Sequence, residues 1–190
     1  MKRIVFLLIG FLMLSVACQD EFVETGNDAT TLTKSAKYEK VKTFHVKGHV
    51  DAIPNINLPF TCCTPVDAEI ALPGSGWVSG HKNIFGEFVQ EESFFNRDFC
   101  EFNLTPEGPV IYSHANVELT KSNGDKLFVD SHSWVNAATG VITGYNEIKD
   151  GTGRFEGAFG LSDIVNGTVD PDTGIASREE DGYITLVLKE

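Results

Sequence analysis

Tyr112, His114, Asp130, His132 and Trp134 are the side chains of this sequence best placed to do chemistry together. They fall in two alternating segments, VIYSHANVELT (110–120) and KLFVDSHSWV (126–135), joined by SNGD at 122–125. The Asn-Gly pair in that link favours a tight hairpin turn. Pairing 122 with 125 sets residue 114 opposite about 133, which makes the two imidazoles near neighbours on adjacent strands. Two imidazoles with a phenol, a carboxylate and an indole would line a ligand cavity, where a histidine or Glu118 could move a proton. The same set would lie on an outer face if the other side of these strands turned inward, and sequence specifies that register weakly.

Other constellations carry less. His45 and His49 share a strand face but stand about 13 Å apart along it at ~3.3 Å per residue, too far to hold one metal ion in a regular strand. They read as polar-face residues flanking Lys47. Asp170 and Asp172 hint at calcium, but Ile175 and Asp181 stand where a calcium loop needs glycine and glutamate, so DPDTG reads as a plain turn. No G-x-S-x-G nucleophile motif occurs, and no catalytic residue, metal site or cofactor is assigned. The stretch DGTGRFEGAFG (150–160) resembles a phosphate loop only in its glycines. Its spacing is one residue too long for G-x-G-x-x-G, no lysine follows, and no helical period comes after it. Gly151, Gly153, Gly157 and Gly160 are therefore read as structural: a turn after Asp150, then a strand whose glycines let a sheet bend. In that strand Phe155, Gly157, Phe159 and Leu161 share one face, and Arg154, Glu156, Ala158 and Gly160 the other.

The elements that must position these residues are strands. VKTFHVKGHVDA (41–52) alternates, with Phe44, Val46, Val50 and Ala52 on one face. Further strands are expected over 82–91, 93–103, 110–120, 126–135, 141–149 and 182–188. The proline-rich stretch 53–65 is a long connection, and Pro73 to Gly76 break the chain again. Strands recurring about every ten residues, with turn chemistry between them, argue for an antiparallel sandwich or barrel. A barrel is favoured because closure removes exposed edges.

GTGRFEGAFG (151–160) resembles the glycine-rich signature of the allene oxide cyclase-like β-barrels, which the dirigent proteins share. NGDKLF (123–128), HKNIFGEF (81–88) and DGYITL (181–186) resemble other segments of that family. The resemblance spans roughly 76–188 and implies an eight-stranded antiparallel barrel of calycin type. It carries no function with it, because the active-site positions of the plant cyclases and dirigent proteins find no residue-by-residue match here.

At the N-terminus, Lys2 and Arg3 precede an apolar run to Leu14, then small residues lead to Cys18, which is the pattern of a secretory signal. Leu-Ser-Val-Ala-Cys resembles a bacterial lipobox, with Cys18 as the lipidated residue. The acidic residues Asp20 and Glu21 behind it resemble an outer-surface sorting signal. The expected organisation is a signal peptide over 1–17, a lipidated N-terminus and flexible tether over 18–37, and a barrel domain over 38–190, anchored by lipid in the outer membrane and facing the cell surface. In an oxidising envelope Cys100 is expected to bond Cys62 or Cys63, leaving one thiol over. The net charge of −12 at pH 7, with no Lys/Arg cluster, excludes nucleic acid as a partner. Three roles remain open: a non-enzymatic barrel binding a small apolar ligand or an envelope component, a cyclase- or isomerase-type enzyme, and a structural or interaction protein.

Overall fold

The computed structural model describes residues 40–57 and 72–188. The signal segment, Cys18, the tether up to residue 37, Cys62 and Cys63 lie outside the described residues. The described chain is built from β1 (Lys40–Pro54), β2 (Ser75–Lys82), a two-residue β3 (Gly86–Glu87), β4 (Phe94–Thr105), β5 (Gly108–Thr120), β6 (Lys126–Asn136), β7 (Val141–Gly151), β8 (Phe159–Val169) and β9 (Ala176–Leu188). All pairings are antiparallel, in the order β1-β9-β8-β7-β6-β5-β4-β2-β3, and a β1–β2 ladder closes the ring. Leaving aside β3, this is an eight-stranded antiparallel barrel. Eight strands give an interior just wide enough for side chains to fill.

Alternation decides what fills it. Along β5 the inward positions are Ile111, Ser113, Ala115, Val117 and Leu119, and along β6 they are Val135, Ser133, Ser131, Val129 and Leu127. Apolar residues therefore occupy both ends of the barrel and polar residues its waist. One apolar cluster gathers Val46, Val50, Phe95, Ile148, Ile184 and their neighbours, and a second gathers Leu72, Ile111, Val135, Ile142, Ile164 and Val169. Cys100 packs against the second cluster and is disulfide-bonded, with its partner outside the described residues.

Two segments differ from the sequence reading. Residues 82–91 are not one strand. The long strand runs earlier, over 75–82, and the chain then passes through β3 into a 3-10 turn at Gln90–Glu92. Gly76 is no chain breaker, because it lies inside β2 where a Cβ would come within 2.0 Å of the Ile53 carbonyl oxygen. Likewise the strand expected to run through 154–161 begins only at Phe159. Before it, Gly153–Phe155 forms a 3-10 turn, with Gly153 at φ +58° and Gly157 at φ +74°. The Asp150 carboxylate accepts from the backbone N–H groups of Gly151 and Gly157 at 2.7 and 2.8 Å, which clamps this turn and lowers the Asp150 pKa. The turn drives Phe155 fully into the barrel end, where its ring stacks on Phe85 at 4.8 Å and Phe85 meets Phe88 edge-on at 5.3 Å. The segments 81–88 and 151–160 thus meet as an aromatic plug. Phe159 and Leu161 instead face solvent, about half exposed.

At the waist, the buried Glu180 carboxylate receives Lys82 Nζ at 2.5 Å and Arg178 Nε at 3.1 Å. Burial alone would raise the Glu180 pKa, but the two cations and their hydrogen bonds outweigh it and hold the group at about 2. Asn146 and Ser162 complete the network, the amide donating to the Ser162 hydroxyl at 3.3 Å and the hydroxyl to Glu180 at 3.4 Å.

Two outcomes follow. Gly160→Ala would push a Cβ to 2.1 Å from the Tyr183 carbonyl oxygen. Denaturant titration should show a loss of about 1–3 kcal/mol, as for other overpacked sites; an unchanged midpoint would refute the packing described. The depressed pKa of Glu180 contributes stability that is present above the ordinary value of 4.5 and is lost as pH falls towards about 2. Glu180→Gln should flatten the stability profile in that window and cost about 3–5 kcal/mol at neutral pH, since it leaves buried cations unpaired.

Candidate functional site

The β5–β6 ladder sets Tyr112 opposite Trp134, His114 opposite His132 and Asn116 opposite Asp130. The register differs by one from the expected pairing of 114 with about 133. The cause is the hairpin, which closes as a longer loop between Thr120 and Lys126, with Lys121 N–H donating to the Asp125 carbonyl and Gly124 at φ +84°. The five residues read from sequence as cavity candidates are therefore brought together, and they stand on the barrel's outer face. Their neighbours Ser113, Ala115, Ser131 and Ser133 point inward.

On that outer face the rings form a continuous strip across four strands. Phe99 of β4 lies 5.9 Å from Tyr112, Tyr112 lies 5.1 Å from Trp134, and His132 lies 4.7 Å from both His114 and Tyr145 of β7. The rings of His132 and Tyr145 are nearly parallel, 17° apart, so they cover each other's faces. Trp134 and Phe99 keep more surface open, being 38% and 50% exposed. Three strand spacings of about 4.8 Å make the strip about 14 Å wide.

Polar partners fix the strip. A β-bulge between Arg97 and Phe99 ejects Asp98 from the β4–β5 ladder. His114 Nδ1 donates to Asp98 Oδ1 at 2.6 Å, and the Asn116 amide donates to Asp98 Oδ2 at 3.1 Å. Partial desolvation would raise the Asp98 pKa, but the His114 and Asn116 bonds outweigh it and lower the value. Tyr112 shares a 2.9 Å hydrogen bond with His132 Nδ1. Its pKa is raised, first by burial and then by Tyr145 and Asp98. Asp130 pairs with Lys149 at 3.4 Å, and the same ammonium, bonded to Glu147, lowers that carboxyl's pKa.

Beside the strip runs an open groove of about 360 Å³ on β4, β5 and β6, whose outward side chains are Phe94, Asn96, Asn116, Glu118, Phe128 and Asp130. Of these, Asp130 was among the cavity candidates, and Glu118 was named beside them as a residue that could move a proton. The others were legible as outward positions of their strands, but a groove also needs the curvature of the sheet. Phe94 is 45% exposed, and Glu118 is held by Lys126 Nζ at 2.5 Å. Two rings and a row of amides and carboxylates can accept a ligand with both apolar C–H faces and hydroxyl groups.

The barrel interior offers far less space. Its waist holds a cavity of about 30 Å³, bordered by Arg97, Arg178, Ser113, Ser131 and Ser133 and by apolar side chains of the first cluster. The cavity therefore has room for water-sized occupants only on a small scale, about a twelfth of the groove's space. Among the described residues no group of three or more His, Cys, Asp and Glu side chains could hold a metal ion. No helix among them is long and apolar enough to cross a membrane.

No protein-family model and no curated protein matches the chain. Solved structures similar to the chain at low identity include two dirigent proteins. The pterocarpan synthase dirigent protein GePTS1 is 14% identical with a TM-score of 0.47, over 84% of this chain and 99% of that one. The pterocarpan synthase dirigent protein PsPTS1 is 17% identical with a TM-score of 0.44, over 78% of this chain and 97% of that one.

Proposed function

We propose that this chain is a non-enzymatic binding barrel, held by lipid on Cys18 at the outer cell surface, whose outer groove on β4–β6 binds a polyhydroxylated envelope component, a glycan chain. The observation that carries this reading is the contrast in space. The groove measures about 360 Å³ and the waist cavity about 30 Å³. Ligand pockets for small molecules run from about 300 Å³ upward, so a ligand of any size has its room outside the barrel. The lining then selects the chemistry. Phe94 and Phe128 offer apolar surface to the C–H faces of a sugar ring, while Asn96, Asn116, Glu118 and Asp130 offer donors and acceptors to its hydroxyls. Asn116 is pre-oriented by Asp98, which reduces the ordering cost of binding. The lipid anchor would keep this face among surface polysaccharides at high local concentration.

Calorimetric titration of the full chain with neutral hexasaccharides of glucose, mannose and xylose tests the reading. At least one should bind, and Phe128→Ala should weaken it about three- to tenfold, the worth of one aromatic contact, while leaving the melting temperature nearly unchanged. Failure of all three sugars to bind, or binding that survives Phe128→Ala and Asn116→Ala together, would overturn it.

A further inference from the structure

The waist of the barrel carries an excess of buried positive charge. Lys82, Arg97 and Arg178 all point inward there, and among the described residues Glu180 is the one carboxylate that faces them. Glu180 is already engaged by Lys82 and Arg178. Arg178 spends a further donor on the Asn146 side-chain oxygen at 3.4 Å. Arg97 is held differently. One of its terminal nitrogens donates to the Pro73 carbonyl, and its guanidinium lies 5.5 Å from the Phe95 ring centre. Its Nε is sealed from solvent and has no hydrogen-bond partner among the described residues. An orphaned charged donor of this kind is expensive to bury, so native structures almost always supply an acceptor.

Space for a counter-charge lies beside this guanidinium. Arg97 and Arg178 both border the waist cavity of about 30 Å³, together with Ser113, Ser131 and Ser133. Ser113 and Ser133 share one hydrogen bond between their hydroxyls at 2.8 Å, so one of their two protons remains free to donate elsewhere. We propose that this cavity is an anion site, which takes a small monovalent anion of the size of chloride or formate between the Arg97 and Arg178 guanidiniums, with a serine hydroxyl as a further donor. The volume favours an anion of one to three non-hydrogen atoms over the bulkier sulfate and phosphate, and leaves any acyl chain outside. Guanidinium is suited to the task because it stays charged when buried and presents several fixed donors. The Arg97 pKa is consistent with a missing counter-charge: burial, and then repulsion from Arg178, lower it to about 10, which still leaves it cationic at neutral pH. The site is independent of the outer groove, and either can stand without the other.

Thermal unfolding of the full chain, exhaustively exchanged into sodium gluconate and titrated at constant ionic strength with chloride, formate or sulfate, tests the proposal. Chloride or formate should raise the melting temperature by several degrees in a saturable way, and sulfate should not. The relative half-saturation points identify the preferred anion as halide or carboxylate. Arg97→Met should abolish the response, or shift its midpoint at least tenfold, without lowering stability in gluconate, because it also removes the repulsion from Arg178. Should that variant fold poorly, line broadening of the [13C]formate NMR signal by the wild-type chain, reversed by chloride, reads the same site. An indifferent melting temperature together with an unbroadened formate signal would overturn the proposal. So would an equal response to sulfate, or a full response in a folded Arg97→Met variant.

Discussion

The convergence of Lys82 and Arg178 on the Glu180 carboxylate is the interaction around which the barrel is arranged. A closed eight-stranded ring has little spare width, and here its narrow interior is charged at the waist and apolar at both ends. A strand displaced by one residue would carry every inward side chain to the outside. For β9 that would expel Glu180 and Arg178 and draw in Glu179 and Asp181, so the waist network enforces register as strictly as the apolar clusters do. The same network consumes the interior volume. What remains inside is a cavity of about 30 Å³.

The ends of the barrel follow from the same economy of space. Phe85, Phe88 and Phe155 stack into one end, and each is delivered by a glycine-bearing segment outside the long strands. Gly153 and Gly157 adopt positive φ so that the chain can turn Phe155 inward between β7 and β8. The glycine-rich stretch is therefore a device for closing the barrel, and it positions no chemistry of its own. What it leaves free is the outside of β4 to β7, where the Asp98 bulge, the imidazole pair and the ring strip border the groove.

Much of this was legible in the sequence. The alternation in 41–52, 110–120 and 126–135 appears as β1, β5 and β6, and the apolar faces turned inward. The hairpin between β5 and β6 was enough to bring His114 and His132 together, because a short link leaves few registers to choose from. The buried charges were not legible. Lys82 and Glu180 look like ordinary surface residues in a chain that is 22% charged. Arg97 points inward in step with Phe95, and the bulge after it shifts the phase of β4 so that Cys100 and Phe102 turn inward next. β2 was hidden because its glycines read as breaks, whereas they permit the close approach of β1. The side of the sheet on which the five candidates would lie depended on closure, a property of all eight strands that no pair of them reveals.

The central claim is that recognition occurs on the outer groove and that the interior serves the fold. NMR of the isotopically labelled chain, titrated with a saccharide that it binds, tests this directly. The account predicts shifts confined to the side-chain amides of Asn96 and Asn116 and the rings of Phe94 and Phe128, with the methyl groups of Val50, Val117 and Ile184 unmoved. Shifts centred on those interior methyl groups, with the groove amides silent, would contradict it.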